Sequence, residues 1–417
     1  MLTSTKINAH LTRREWIRAS ILACGSLLAA AGIYTSPRGT FGAAFGGEQR
    51  GTDDPFSGGK QIGTVELIDE DFRPMDTPLG AELNGRLYTD LSGLTSRDVT
   101  IPTEKFYIRT RASQLLNTQK PWVIRVGGPT HPAAIPIQDL IRDSKPQGVH
   151  LMECAGNAGG GHFGLIGVAD WAGVPLTKLA DRIRITDARN RVLISGFDEY
   201  TRQSDTSVAG ASWIFPWEDL HSSGAFLATK MNGRPLTPDH GAPVRLVVPG
   251  WYGCTCIKWV NEIAIVDSRA EPTLQMQEYA ARTHQEGVPM VLSEYQPAKI
   301  DPAALPIRVE KWLVKEQIKY RVVGILWGGE EPVSALQIQF NPKEDYVTVE
   351  RVQQRKTDSW TFWTHAWTPR TPNQYAIRLR VSDPRVRTTR LDMGFYARTV
   401  DIAEVSDLRA AAKPRTN

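Results

Sequence analysis

Order in this 417-residue chain comes in short pieces: apolar and polar residues alternate over a few positions, then turn formers break the pattern. Between about Leu67 and Val266 the β-like runs are Phe106–Arg109, Trp122–Val126, Gly148–Cys154, Val192–Gly196, Val244–Pro249 and Ile257–Val266. Helical candidates, Ile137–Asp143 and Leu176–Arg182, are equally short. Strand and helix do not take turns regularly, so a doubly wound parallel sheet is not expected; the reading is a mixed α+β layout rich in loops. Gly159–Gly164 fits G-x-G-x-x-G, but no helical pattern opens after it. No P-loop occurs either, and nucleotide cofactors are disfavoured.

After Gln296–Pro306 the texture changes. Ile307–Lys315, Tyr320–Trp327, Ala335–Asn341, Tyr346–Val352, Ser359–Trp367 and Gln374–Ser382 alternate as strands, with turn signals at Gly328-Gly329 and Pro369–Asn373. That many short strands in so few residues point to an immunoglobulin-like sandwich. It holds no cysteine, so its core must stand on packing, and Trp360, Phe362, Trp363 and Trp367 are its expected centre.

The whole formal net charge of +4 sits in residues 1–44, where Lys6, Arg13, Arg14, Arg18 and Arg38 face Glu15 alone. A neutral body argues against nucleic acid as partner. Thr12–Arg18 precede a charge-free run, Ala19–Tyr34, and small residues follow at Gly42-Ala43-Ala44. The run falls short of the ~20 residues that span a bilayer comfortably. The pattern resembles a twin-arginine export signal, a route for folded proteins. It implies a periplasmic location; cleavage and retention as a membrane anchor both stay open. Residues 45–61 read as linker.

Of four cysteines, Cys24 lies in the apolar N-terminal run, leaving Cys154, Cys254 and Cys256 for the body. Three thiols make no disulfide framework. In a regular strand Cys254 and Cys256 would share a face roughly 6.6 Å apart, too far for an unstrained bridge. Cys154 ends a strand and is followed by small residues and Gly159-Gly160-Gly161, where backbone can approach a ligand. It is either a small buried apolar residue or a thiolate for a soft-accepting metal. Arg245 interrupts an apolar strand and needs an anion, from a ligand or from a protein carboxylate. With His240 and Lys258 it offers donors suited to a phosphate and a heterocycle.

Cys154-Ala155-Gly156-Asn157 and the run Asp239-His240-Gly241, Pro243-Val244-Arg245, Pro249-Gly250, Lys258-Trp259 resemble the sulfite oxidase family of molybdenum–molybdopterin oxidoreductases. The likeness covers about Ile62 to Val405. It implies a molybdopterin-binding domain of mixed α/β type over 62–300 and an immunoglobulin-like dimerisation domain over 301–410, then a tail, 411–417. By the same resemblance Cys154 is the protein's thiolate ligand to molybdenum. His240, Arg245 and Lys258 hold the pterin and its phosphate, joined on the cofactor side by Arg111 and Asn157. Arg109 binds the substrate oxyanion, and Tyr279 hydrogen-bonds near the exchangeable oxygen.

Three positions depart from the family pattern. Arg111 replaces a histidine that touches the pterin, Ala158-Gly159 replace a basic residue, and an expected tryptophan before Asp170-Trp171 has no counterpart, with His162 and Phe163 nearby. They weaken the assignment of sulfite more than that of molybdenum.

The implied activity is two-electron oxygen-atom transfer, with oxidation of sulfite or a related small anionic sulfur compound. No Cys-x-x-Cys-His haem motif occurs, so electrons go to an external acceptor such as a c-type cytochrome. The family also implies a homodimer. One alternative is a periplasmic sulfoxide reductase acting on oxidised methionine, a class without the C-terminal sandwich. The other is an exported non-enzymatic binding module.

Overall fold

The computed structural model describes residues 54–403 apart from 69–74, 82–84, 99, 112–114, 118–119, 128–132, 158–162, 187–189, 197–210, 330–332, 334 and 354–358. The export-signal pattern, the tail and the departures at Ala158, Gly159 and His162 lie outside those residues. From Pro55 on, the described residues form one compact unit.

Sheets dominate and helices are short. One five-stranded sheet runs in the order Ala133–Pro136, Val123–Val126, Val260–Val266, Arg191–Gly196 and Ser212–Pro216. Its central strand is apolar throughout except Asn261 and Glu262, as a strand covered on both faces must be. A second sheet orders Arg234–Pro235, Phe226–Met231, Ile166–Pro175 and Lys145–Glu153, with Arg245–Val247 also pairing onto Phe226–Met231. Lys145–Glu153 and Ile166–Pro175 run antiparallel, with Glu153 opposite Ile166, so the Cys154 segment sits at the loop end of a long hairpin.

The expected helix Ile137–Asp143 forms as read, and it follows Pro136, whose fixed φ of −62° suits a helix entrance. Leu176–Arg182 divides instead into a 3-10 turn, Leu176–Leu179, and one α-turn, Ala180–Ile183. The run Phe106–Arg109 narrows to the strand Ile108–Arg109, paired with Arg86–Leu87.

The C-terminal residues build two sheets. One contains Ala303–Val314, Gln317–Trp327, Thr361–Trp367 and Arg351–Val352; the other contains Val347–Thr348, Leu336–Gln339, Asn373–Val381 and Arg398–Ile402. Lys315 and Glu316 both take positive φ (48° and 64°), the conformation a two-residue hairpin turn requires. Trp367 joins the two sheets. It stacks on Phe340 with centroids 4.3 Å apart and meets the edge of Tyr375 at 4.9 Å. The tryptophan and phenylalanine cluster thus lies in the core, as the sequence suggests, with Trp363 1% exposed.

One strand overturns an expectation. Lys60–Val65 straddles the end of the supposed linker, yet it pairs antiparallel with Ala303–Val314 at the edge of the C-terminal sheet.

Candidate active site

Cys154 follows the last residue of Lys145–Glu153, and its amide donates to the Leu165 carbonyl at 2.9 Å, adding one rung to the hairpin. The chain then turns: the Asn157 amide donates to the Cys154 carbonyl at 2.8 Å, and the Gly156 amide points at Cys154 Sγ at 3.3 Å.

Cys154 lines a cavity with Arg109, His240, Arg245, Lys258 and Tyr279. The space between atoms is about 920 Å³, open mouth included. Six of the eight residues singled out from the sequence therefore converge here. Arg111 and Asn157 do not line it. Arg111 pairs with Asp239 at 3.0 Å and donates to the Gly80 carbonyl, so it acts on the cavity through Asp239, which does line it. The Asn157 side chain donates to Glu153 and accepts from the Leu165 amide, bracing the turn from behind.

Arg245 is the chemically exposed feature of this site. Its guanidinium is 5% exposed, donates to the carbonyls of His240 and Cys256 and to Met152 Sδ, and lies over Trp171 at 5.5 Å. Among the described residues none of those bonds reaches a carboxylate, and Nε has no partner. Burial pulls its pKa down. A buried guanidinium without a counter-ion is costly, and an anionic ligand answers it.

Lys258 departs from its expected part. Its ammonium donates to the carbonyls of Arg109 (3.1 Å), Thr110 (2.6 Å) and Asp239 (2.9 Å). An ammonium has three protons, and all three are accounted for. Lys258 ties the Arg109 loop to the His240 turn; burial, then the nearby Arg245, holds its pKa well below the ordinary lysine value. Gly241 makes that approach feasible: its φ is +104°, and a Cβ there would stand 3.0–3.2 Å from Arg245 and Lys258 side chains.

Both ring nitrogens of His240 are engaged, Nε2 with the Phe106 carbonyl at 3.1 Å and Nδ1 with the Thr237 hydroxyl at 2.7 Å. A carbonyl only accepts, so the proton is assigned to Nε2. Burial lowers the His240 pKa to about 4, which keeps the ring neutral.

Tyr279 ends the helix Leu274–Tyr279, whose entrance is capped by the Thr273 hydroxyl accepting from the Met276 amide. Gln275 fixes the helix by donating to the Cys254 carbonyl at 2.7 Å. Burial first, and then the neighbouring Cys154, raises the Tyr279 pKa, so the phenol keeps its proton. Arg282, one turn on, lies over its ring at 5.6 Å, with Nη1 3.4 Å from where a Gly156 Cβ would stand. Sequence reasoning missed Arg282; its place three residues after Tyr279 on a helical path was the available signal.

Cys254 and Cys256 sit in turns rather than in a strand, are free thiols, and line the same cavity. Tyr107 lines it too, a residue read from sequence only as part of the β-like run Phe106–Arg109. Phe163 lies in the core against Tyr396. Among the described residues no group of three His, Cys, Asp or Glu side chains is placed to hold a metal. A metal at Cys154 would therefore draw its other ligands from a cofactor.

Residues 112–273 match the family model of the oxidoreductase molybdopterin-binding domain. Mitochondrial sulfite oxidase of Drosophila melanogaster is 22% identical over 339 residues, which cover 76% of this chain. The protein-methionine-sulfoxide reductase catalytic subunit MsrP of Xanthomonas axonopodis is 28% identical over 183 residues, or 41% of the chain. The chain spans 58% and 54% of those two relatives, and 18% of a longer curated one. The crystal structure of the sulfane dehydrogenase SoxCD from Paracoccus pantotrophus shares the fold, with a TM-score of 0.59, 17% identity and coverage of 88% of this chain and 96% of that one.

Fold and cavity thus define a molybdopterin-binding oxidoreductase. Residues 112–273 are thus a molybdopterin-binding oxidoreductase domain, similar to that of sulfite oxidase, and the cofactor is molybdopterin with molybdenum. The residues present fit that group: the Cys154 thiol at the end of its strand and, in the same cavity, a buried guanidinium whose hydrogen bonds reach no carboxylate. The binding-module alternative falls with this assignment.

Proposed function

We propose that this chain oxidises a small anionic sulfur compound, sulfite or a relative of it, by oxygen-atom transfer. The observation that supports it best is the convergence of Cys154, Arg109 and Tyr279 on one cavity. When bound, the molybdenum–pterin group supplies a two-electron redox centre competent for oxygen-atom exchange.

The chain's own residues do the rest. Cys154 would hold the metal, and the unpartnered Nε of Arg245 would serve an anionic group of the cofactor. Arg109 attracts and orients the substrate oxyanion by charge-assisted hydrogen bonds. Tyr279, kept protonated by burial, donates to an oxygen beside it. His240, neutral and fixed at both nitrogens, shapes the wall without adding charge.

The electrons pass to an external acceptor, a c-type cytochrome. The C-terminal sheets form an immunoglobulin-like dimerisation domain, and the protein works as a homodimer. The Thr12–Arg18 pattern supports export to the periplasm by the twin-arginine route, with the apolar run as an anchor if it is retained.

A second reading, reduction of sulfoxides including oxidised methionine, is favoured by the likeness to MsrP. The C-terminal sheets weigh for the oxidising reading, because they extend the chain well past the matched domain. Purified protein without stoichiometric molybdenum and pterin sinks both. With cofactor present, ferricyanide reduction driven by sulfite supports the first reading, and oxidation of reduced viologen by methionine sulfoxide supports the second.

A further inference from the structure

The C-terminal sheets reach into the site and grip the chain on both sides of Cys154. On the near side stands Glu153, with no exposure at all. Its Oε2 accepts from the indole of Trp327 at 2.8 Å, and its Oε1 accepts from the Tyr396 hydroxyl at 2.9 Å and from Asn157 Nδ2 at 3.1 Å. An indole N–H can only donate. Three side chains thus meet its two oxygens. The Glu153 carbonyl also accepts from the Gly253 amide at 2.6 Å.

On the far side stands Arg390, from the short helix Thr389–Asp392. Its Nη2 donates to the Asn157 carbonyl at 2.9 Å and reaches the Ala155 carbonyl at 3.4 Å. The guanidinium lies against Phe395 at 4.3 Å and Tyr252 at 5.3 Å. Trp327 closes the strand Gln317–Trp327 and meets Tyr396 edge-on at 5.3 Å. Trp327, Arg390 and Tyr396 are separated from Cys154 by more than half of the described chain.

A core with no further task would fill this space with apolar side chains, since a buried carboxylate needs a full set of donors to be tolerated. Here the full set is present, one residue from the metal-ligand position. Neighbouring residues at a strand end face opposite ways, so Glu153 is held by the C-terminal sheets while Cys154 lines the cavity.

We propose that Glu153 is the positioning residue of the Cys154 thiolate, and that Trp327, Tyr396 and Arg390 make the C-terminal sheets part of the active site. The proposal rests on Cys154 being the metal ligand. It gives the C-terminal sheets a task in each chain, independent of dimerisation.

The test uses the full-length chain without cofactor, with iodoacetamide alkylation of each cysteine followed by mass spectrometry. Reaching the buried Cys154 requires local opening of its turn. Glu153→Gln should speed alkylation of Cys154 roughly tenfold, the effect of about 1.4 kcal/mol of lost local stability. Cys256, anchored at Val248 instead, should keep its parent rate. Tyr396→Phe, which removes a single hydroxyl, should give a smaller change of the same kind. In metal-loaded protein the same variants should displace the paramagnetic resonance signal of the half-reduced centre. Unchanged Cys154 rates in both variants overturn the proposal, and so does equal acceleration at Cys256, which marks general loosening. Should Glu153→Gln fail to fold, Tyr396→Phe and Trp327→Phe decide it by the same criteria. The molybdenum content of the parent is a separate readout; its absence overturns the family-based cofactor reading and leaves the thiol measurement valid.

Discussion

The ammonium of Lys258 donates to the carbonyl of Thr110 at 2.6 Å, and Thr110 is one of the few non-glycine residues with positive φ (77°). A threonine in that conformation is strained, and it persists only where its surroundings hold it. The loop carrying Arg109 is therefore held in place by a lysine from another segment.

Lys258→Met keeps the length of the side chain and removes all three donors. The metal-free protein should lose about 2–4 kcal/mol in urea unfolding, because three carbonyls are left without their charged partner. Molybdenum content should fall with it. Parent-like unfolding would show that the three bonds matter little.

Arg245→Met should separate stability from cofactor binding. Removing the guanidinium relieves a buried charge without a carboxylate partner but also leaves the His240 and Cys256 carbonyls without their donor, so the metal-free protein should change by no more than about 1 kcal/mol either way. The same change should lower molybdopterin retention at least about tenfold, since one charge-assisted bond is worth ~1.5–3 kcal/mol. Full retention in the variant would remove Arg245 from the cofactor's binding set.

His240 makes the fold sensitive to acid. Its folded pKa of about 4 lies below the ordinary 6.5. Between those values the unfolded chain binds a proton that the folded chain does not, so stability falls as pH drops from 6.5 to 4 and levels off beneath. The contribution is about 3 kcal/mol. His240→Gln should flatten the dependence of the unfolding free energy over that interval. An unaltered slope would assign the loss to other groups, His284 first, whose pKa burial also lowers to about 4.

Arg109→Gln should raise the apparent KM for an anionic substrate about ten- to hundredfold, with a smaller effect on kcat. Steady-state rates with sulfite and ferricyanide measure it. An unchanged KM would take the oxyanion role from Arg109.

The strand that leads into Cys154 and the one that carries Arg245 were legible in part, because apolar residues run up to turn formers at Gly148–Cys154 and Val244–Pro249, whereas Ile166–Pro175, on the other side of Cys154, was not read. The helix Ile137–Asp143 was legible for its clean periodicity. The edge strand Lys60–Val65 was not: it is mostly exposed and rich in polar residues and glycine, and its partner strand begins at residue 303. Six of the eight residues singled out from the sequence line one cavity, four of them from two motifs, yet their individual bonds were not legible. Lys258 reads in sequence as a phosphate donor because nothing in its neighbours announces three facing carbonyls. Glu153 carried no signal at all, since its partners lie at residues 327 and 396.

The pairing of Lys60–Val65 with Ala303–Val314 also fixes a timetable. The earlier strand emerges from the ribosome about 240 residues before its partner, and at ~5–20 residues per second it waits roughly 10–50 s. Throughout that wait it is an unpaired edge. The C-terminal sheet therefore closes only after Ala303–Val314 has been made, and Trp327 and Tyr396 reach Glu153 later still. Insertion of the cofactor into a finished site is accordingly a late event in the life of each chain.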